Sequence, residues 1–258
     1  MATNGSASRP ALSLTQRLNE NSKKIHKKSN ALLLAKVATL FTDRELYGKA
    51  IGQFYFVFAE LEPALQQATD ERIAALRENL QPIWRLPSYE TDLAFYLGPD
   101  WKQRIPGSTA VQAYVDHLRK ISKEQPLLLL AHTFTQHTAG LSGGRIVKRM
   151  ARKYMHLPED KGTAIFDFAG GVELKDAYKA RLDKVGEGLS EEEVQAVLDE
   201  QIVAFELNIE IMKAFKVGLL PQLRAPLRLL PPAALLALGG ALVALVAAVA
   251  VLRGRGGL

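Results

Sequence analysis

Five histidines, His26, His117, His132, His137 and His156, carry most of the ligand chemistry open to this chain. Its 258 residues include no cysteine, which removes disulfides, thiolate metal sites, iron–sulfur clusters and cysteine nucleophiles together. Any metal or cofactor must then be held by His, carboxylate, Met, Tyr or backbone. No His-Glu-x-x-His pair, phosphate-binding loop, dinucleotide fingerprint or nucleophile elbow occurs. Two features are physically unusual. Lys23, Lys24, His26, Lys27 and Lys28 crowd into six residues, a run that taken alone is a solvated face. Gly140, Gly143 and Gly144 fall within five residues of an otherwise strong helical pattern. Each internal Gly costs about 1 kcal/mol relative to Ala, so the stretch must bend, pack closely, or let something flat approach its backbone.

The elements that would position these residues are helices. Tyr47, Ile51, Phe54, Phe58, Leu61 and Leu65 recur at spacings of four and three, one face of a helix, with Thr42 and Glu45 as a capping box before it. Ser190 with Glu193 forms a second box ahead of Val194, Val197, Leu198, Ile202, Phe205, Ile209 and Met212. Pro126 opens a third long stretch to about Tyr154, predicted to be interrupted near Gly140 and Gly143-Gly144. No alternating strand pattern stands out. The expectation is an all-α chain: one multi-helix domain over 11–218, after a polar arm at 1–10.

The C-terminus reads differently. Residues 233–252 carry no charge, and at 1.5 Å per residue they span about 30 Å, the hydrocarbon thickness of a bilayer. Arg228 flanks one side and Arg253 and Arg255 the other, after a Pro-containing linker at 219–232. With only a basic tip at 253–258 beyond it, this is expected to be a C-terminal transmembrane anchor. The endoplasmic reticulum is the default membrane, with the soluble domain facing the cytosol. Net charge is +6, from 33 basic and 27 acidic residues. Residues 226–258 hold three of the arginines and no acid, leaving 30 against 27 elsewhere, too little to argue for a nucleic-acid partner.

Several segments carry a family resemblance. They are Lys23-Lys24-Ile25-His26, Asp92-Leu93-Ala94-Phe95-Tyr96-Leu97-Gly98-Pro99 followed by Trp101, Ala131-His132-Thr133-Phe134 leading into Leu141-Ser142-Gly143-Gly144, and Ala204-Phe205-Glu206-Leu207-Asn208-Ile209. Over about residues 14–216 the chain resembles the membrane-anchored eukaryotic haem oxygenases. The resemblance implies an all-α haem-binding fold and oxidative cleavage of haem to biliverdin, CO and ferrous iron, with O2 and electrons from NADPH through NADPH–cytochrome P450 reductase. It implies His26 as the iron ligand and Gly140, Gly143 and Gly144 as the helix stretch against the porphyrin. Lys23, Lys175, Lys179 and Phe134 would contact haem, the lysines through its propionates. Lys179 stands where the family has arginine, which keeps the charge and loses the bidentate fork. Arg145, Lys148, Arg149, Arg152 and Lys153 offer a basic face to an acidic reductase, or a solvated helix face.

The match breaks on the distal side. Gly140 stands where the family carries an aspartate, and Phe58, Phe134, Gln136 and His137 replace polar or tyrosine residues. Placed proton delivery is typically worth about 10²–10⁴-fold, and Gly140→Asp is expected to raise ring opening. Three consequences are open: an enzyme that orders water through Gln136, His137 or backbone; a membrane-anchored haem sensor, buffer or carrier without turnover; or His137 ligating iron. His132 is expected to serve structure, and His117 and His156 to be solvated.

Overall fold

The computed structural model describes residues 12–77, 81–105, 107–218 and 221, with the backbone alone at 26 and 28–38. Nine α-helices and three short 3-10 turns make up the described residues, with no strand among them. The helices are α1 (Leu14–Leu40), α2 (Arg44–Gln67), α3 (Glu71–Arg77), α4 (Leu86–Leu97), α5 (Trp101–Arg104), α6 (Thr109–Glu124), α7 (Leu129–Met155), α8 (Gly171–Gly186) and α9 (Glu191–Ala214). The all-α expectation is met. The predicted anchor at 233–252 lies outside the described residues, and among those residues no helix is long and apolar enough to cross a membrane.

Local chemistry starts each long helix. Ser13 and Gln16 form a reciprocal capping box at α1, as Ser190 and Glu193 do at α9. At α2 the expected Thr42–Glu45 box does not form. Asp43 is the cap, its carboxylate accepting from Leu46 N–H, while Thr42 Oγ1 donates to the Thr39 carbonyl. Two adjacent residues compete for one role, and the Asp43 carboxylate takes it by satisfying the Leu46 N–H.

Two long helices, α2 and α7, organise the core. Tyr47, Phe58, Leu61 and Leu65 of α2 are buried, and Ile51 and Phe54 half-buried, so the predicted face is the inward one. Gly48 lets α4 approach closely: a Cβ there would lie 2.6 Å from Tyr96 Cβ. One apolar cluster joins Leu14 and Leu18 of α1 to Phe134 of α7, Tyr178 and Leu182 of α8 and Val197 of α9. A second joins α2, α4 and α5 to Ala151 and Met155 at the far end of α7. The third packs α2 against α6 and Ile211 of α9.

The helix α7 is unbroken from Leu129 to Met155, contrary to the predicted interruption. Its glycines are braced from outside. The 3-10 turn at Ala164–Phe166 and the residues after it press Phe166 and Phe168 against Gly144 and Gly140. That turn is in turn held by Asp92 of α4, fully buried, whose two carboxylate oxygens accept from Ala164 and Ile165 N–H at 3.0 Å each.

Candidate functional site

A cavity of about 570 Å³ lies between α1, α2, α7 and α9. Asn19 and Ser22 line it from α1 and Phe54 from α2; α7 contributes Phe134, Thr135, Gln136, Thr138, Ala139, Ser142 and Gly143, and α9 Gln201, Phe205, Asn208, Ile209 and Met212. Volume and lining, a chiefly apolar surface bordered by four amides and four hydroxyls, suit a small-molecule site within the usual span of about 300–1,000 Å³. Gly143 is the bare stretch of its wall, since a Cβ there would meet nothing within 4 Å. No carboxylate lines it among the described residues.

Behind the α7 wall runs a polar network. Gln136 Nε2 donates to Asn208 Oδ1 at 2.8 Å and to Tyr114 Oη at 3.0 Å, and Tyr114 Oη is 2.9 Å from His132 Nδ1. Burial pushes the Tyr114 phenol far above its ordinary range, so it stays protonated and acts as a neutral hydrogen-bonding group. Glu200 Oε1 then accepts from His132 Nε2 at 2.7 Å and from His117 Nε2 at 2.5 Å. Burial pushes the Glu200 carboxyl up, but hydrogen bonds from His132 and His117 outweigh it and hold the group below its usual value. Burial pushes His132 down. The structural role expected of His132 is thus seen, whereas His117, expected to be solvated, is half-buried and joined to Glu200. His156 is exposed as expected, closing α7 in a left-handed conformation with φ 49°.

The predicted site residues separate into groups. Phe134 and Gly143 line the cavity. Gly140 and Gly144 do not: Cβ atoms there would lie 2.9 Å from Phe168 Cζ and 3.0 Å from Phe166 Cδ1, so these two glycines admit aromatic rings of the chain itself. The expectation that all three face a flat ligand narrows to Gly143. Lys175 lines a second, basic groove of about 650 Å³ on the other side of α7, with Gly140, Arg145, Lys148, Arg149, Arg152, Phe166 and Phe168; Ser142 borders both spaces. Lys179 is half-buried on α8, and Lys23 is exposed on α1, 3.7 Å from Glu20. Neither lysine lines the cavity. The His26 side chain lies outside the described residues, although its backbone is part of α1.

His137 lies within the protein wall. It is fully buried between Phe58, Trp84 and Tyr178, its Nδ1 is 3.1 Å from the Thr133 carbonyl oxygen, and its Nε2 has no hydrogen-bond partner, with Glu62 Oε1 at 3.6 Å. It is absent from the cavity lining, so this geometry gives no support to iron ligation by His137.

Sequence reasoning missed Asp92, Glu200 and Arg85 as positioning groups. Arg85 is buried, donates to the Pro82, Ile83 and Asp167 carbonyls, and stacks 3.9 Å over the Phe168 ring. Asp92 and Glu200 both stood inside quoted or neighbouring helical segments, but their partners are distant in sequence.

A helical domain with a cavity between α1, α2, α7 and α9, its surface chiefly apolar and its α7 wall bare at Gly143, defines a helical small-molecule-binding protein. Comparison with known families is specific: residues 12–214 match the family described as Heme oxygenase. The chain is 32% identical to the heme oxygenase of Porphyra purpurea over 210 residues, 78% of this chain and 86% of that one. Heme oxygenase 2 of Chlamydomonas reinhardtii, solved without heme, superposes with a TM-score of 0.77 at 40% identity, covering 81% of this chain and all of that one. Heme oxygenase-1 of Synechocystis, solved with heme, superposes at 0.70 with 30% identity, covering 78% and 91%. This chain belongs to the haem oxygenase family.

Proposed function

We propose that the chain is a haem oxygenase, which cleaves haem to biliverdin, CO and ferrous iron using O2 and electrons supplied by a reductase. The observation that carries this is the cavity: its bare Gly143 wall admits a flat ring, and it sits inside the segment shared with the family. Haem supplies the oxygen-activating iron and the ring that is opened. His26 lies one helical turn beyond Ser22, a cavity residue, and is the iron ligand in this reading. Phe54, Phe134, Phe205 and Met212 exclude water around the ring. Gln136, held by Tyr114 and Asn208, supplies the polar group on the α7 side where the family's carboxylate is absent. Lys23, one residue beyond the cavity residue Ser22, is the cation this reading assigns to the propionates first, with Lys175 and Lys179 of α8 as the further lysines that family resemblance assigns to them.

The electron donor proposed is NADPH–cytochrome P450 reductase, docking on the basic α7 face that includes Arg145, Lys148, Arg149, Arg152 and Lys153. Residues 233–252 anchor the chain in the endoplasmic reticulum membrane, with domain 11–218 on the cytosolic side, arm 1–10 before it, linker 219–232 and tip 253–258 around the span. The uncharged run between flanking arginines supports this.

The test uses the full chain in detergent, loaded with hemin and supplied with reductase and NADPH in air. Biliverdin and CO are the expected products. A Soret band that survives reduction without ring opening would instead establish a haem carrier. His26→Ala should change the haem spectrum, and an unchanged spectrum would sink the ligand assignment. The outcome for Gly140→Asp differs from the one the sequence suggests. The new side chain must displace Phe168 and would meet Arg85, stacked on that ring, instead of the cavity. Ring opening should therefore change less than about threefold, well short of the factor of about 10² or more that a placed proton donor brings. Biliverdin formation rates check this, and a tenfold gain would show that the carboxylate reaches the cavity.

A further inference from the structure

We propose that His117, His132 and Glu200 form a binding site for a first-row divalent transition-metal ion, separate from the haem cavity. The three residues come from three different helices, α6, α7 and α9, and one ligand atom from each lies within 4.8 Å of the others. Two imidazoles and one carboxylate are a donor set that such ions take, and Zn²⁺ in particular. The order of burial suits a site with one open side. His132 is fully buried and Glu200 nearly so, while the His117 side chain is 27% exposed and leaves solvent access for the ion and for a completing water.

Orientation of the inner ligand is already provided. A metal-bound imidazole needs a fixed partner for its second nitrogen, and Tyr114 Oη holds His132 Nδ1 at 2.9 Å. In the metal-free arrangement Glu200 Oε1 accepts from both Nε2–H groups, at 2.5 and 2.7 Å. On binding, each imidazole carries its proton on Nδ1, and both Nε2 lone pairs turn to the metal. His132 Nδ1–H then donates to Tyr114 Oη, so no proton is lost from either ring. With metal–ligand bonds of about 2.0–2.1 Å, tetrahedral geometry spaces the ligand atoms about 3.3 Å apart. Each carboxylate–imidazole separation must therefore open by less than about 1 Å, and the two imidazoles, within 4.8 Å of each other, must sit at about the same spacing; the half-buried His117 ring can supply the movement. One carboxylate and two neutral imidazoles leave the occupied site with a single positive charge inside the domain.

This site stands whether or not the chain turns haem over. The test is a titration of the haem-free full chain in detergent with Co²⁺, read by its visible ligand-field bands, and with Zn²⁺, read by calorimetry. Wild type and His26→Ala should both bind one ion with low-micromolar or tighter affinity. His117→Gln, which at this half-buried position keeps a hydrogen-bond donor for Glu200, should weaken binding at least tenfold. Tyr114→Phe should weaken it by about 10–100-fold through loss of orientation. His156→Gln, at the exposed end of α7, should leave it unchanged. Equal affinity in wild type and His117→Gln, loss of binding in His26→Ala, or no ligand-field bands up to millimolar Co²⁺ would each overturn the proposal.

Discussion

Replacing Gly143 by leucine should lower haem affinity at least 100-fold while leaving the helical domain folded. Position 143 is where a side chain would project into the cavity without meeting the protein, since nothing lies within 4 Å of a Cβ built there. A leucine at that point occupies the space a flat ring needs against α7. Hundredfold weaker binding corresponds to about 2.8 kcal/mol, at 1.4 kcal/mol per factor of ten, less than a steric overlap of that size imposes. The fold should not suffer, because Leu is a better helix former than Gly by nearly 1 kcal/mol and the site is half-exposed. Hemin titration followed at the Soret band, beside a thermal melt of the haem-free protein, separates the two effects. Gly143→Ala should be milder, since one methyl group intrudes less. A leucine variant that bound hemin like the wild type would place the ring elsewhere. Lost binding together with lost folding would mean that position 143 is structural.

Asp92→Ala should be among the most destabilising single changes in the domain, at about 2–4 kcal/mol. The carboxylate is fully buried and accepts from two backbone N–H groups, Ala164 and Ile165. Truncation leaves both donors without that acceptor, and each unsatisfied buried group costs about 1–3 kcal/mol. Part of this is offset because the carboxylate itself is unfavourably buried: burial pushes its pKa up against the two hydrogen bonds that lower it. The loss should appear as a lower melting temperature, at about 2–4 °C per kcal/mol for a domain of this size. Asp92→Asn keeps one acceptor oxygen and should fall between alanine and wild type. Because the same turn carries Phe166 and leads into Phe168, the alanine variant should also loosen the outer brace on α7. A change below about 0.5 kcal/mol, the range of neutral surface substitutions, would show that the turn is held by other contacts.

Features governed by neighbours in sequence were legible in advance. The α2 face from Tyr47 to Leu65 and the Ser190–Glu193 box depend on spacings of three and four, and both appear as read. The cap at α2 was misplaced by one residue, because Thr42 and Asp43 are both good caps and only the folded backbone shows which one reaches Leu46 N–H. The continuity of α7 was hidden for a different reason. The local penalty of its glycines is met by Phe166 and Phe168, more than twenty residues away, where no periodicity points back to Gly140. In the site, Phe134 and Gly143 were reached through family resemblance together with helix chemistry. Glu200 sits 68 residues from His132 and 83 from His117, and nothing local marks the three as partners.

The same glycines also thin a barrier. Where α7 separates the cavity from the basic groove, Gly143 turns only hydrogen toward one side and Gly144 only hydrogen toward the ring of Phe166 on the other. A helix clothed in side chains is about 10–12 Å across, whereas its bare Cα cylinder is about 5 Å in diameter. Electron tunnelling weakens exponentially with distance, so on the proposed docking at Arg145 and Lys148 an electron would have to cross a bare stretch of helix and the rings of Phe166 and Phe168 instead of a helix clothed on both sides.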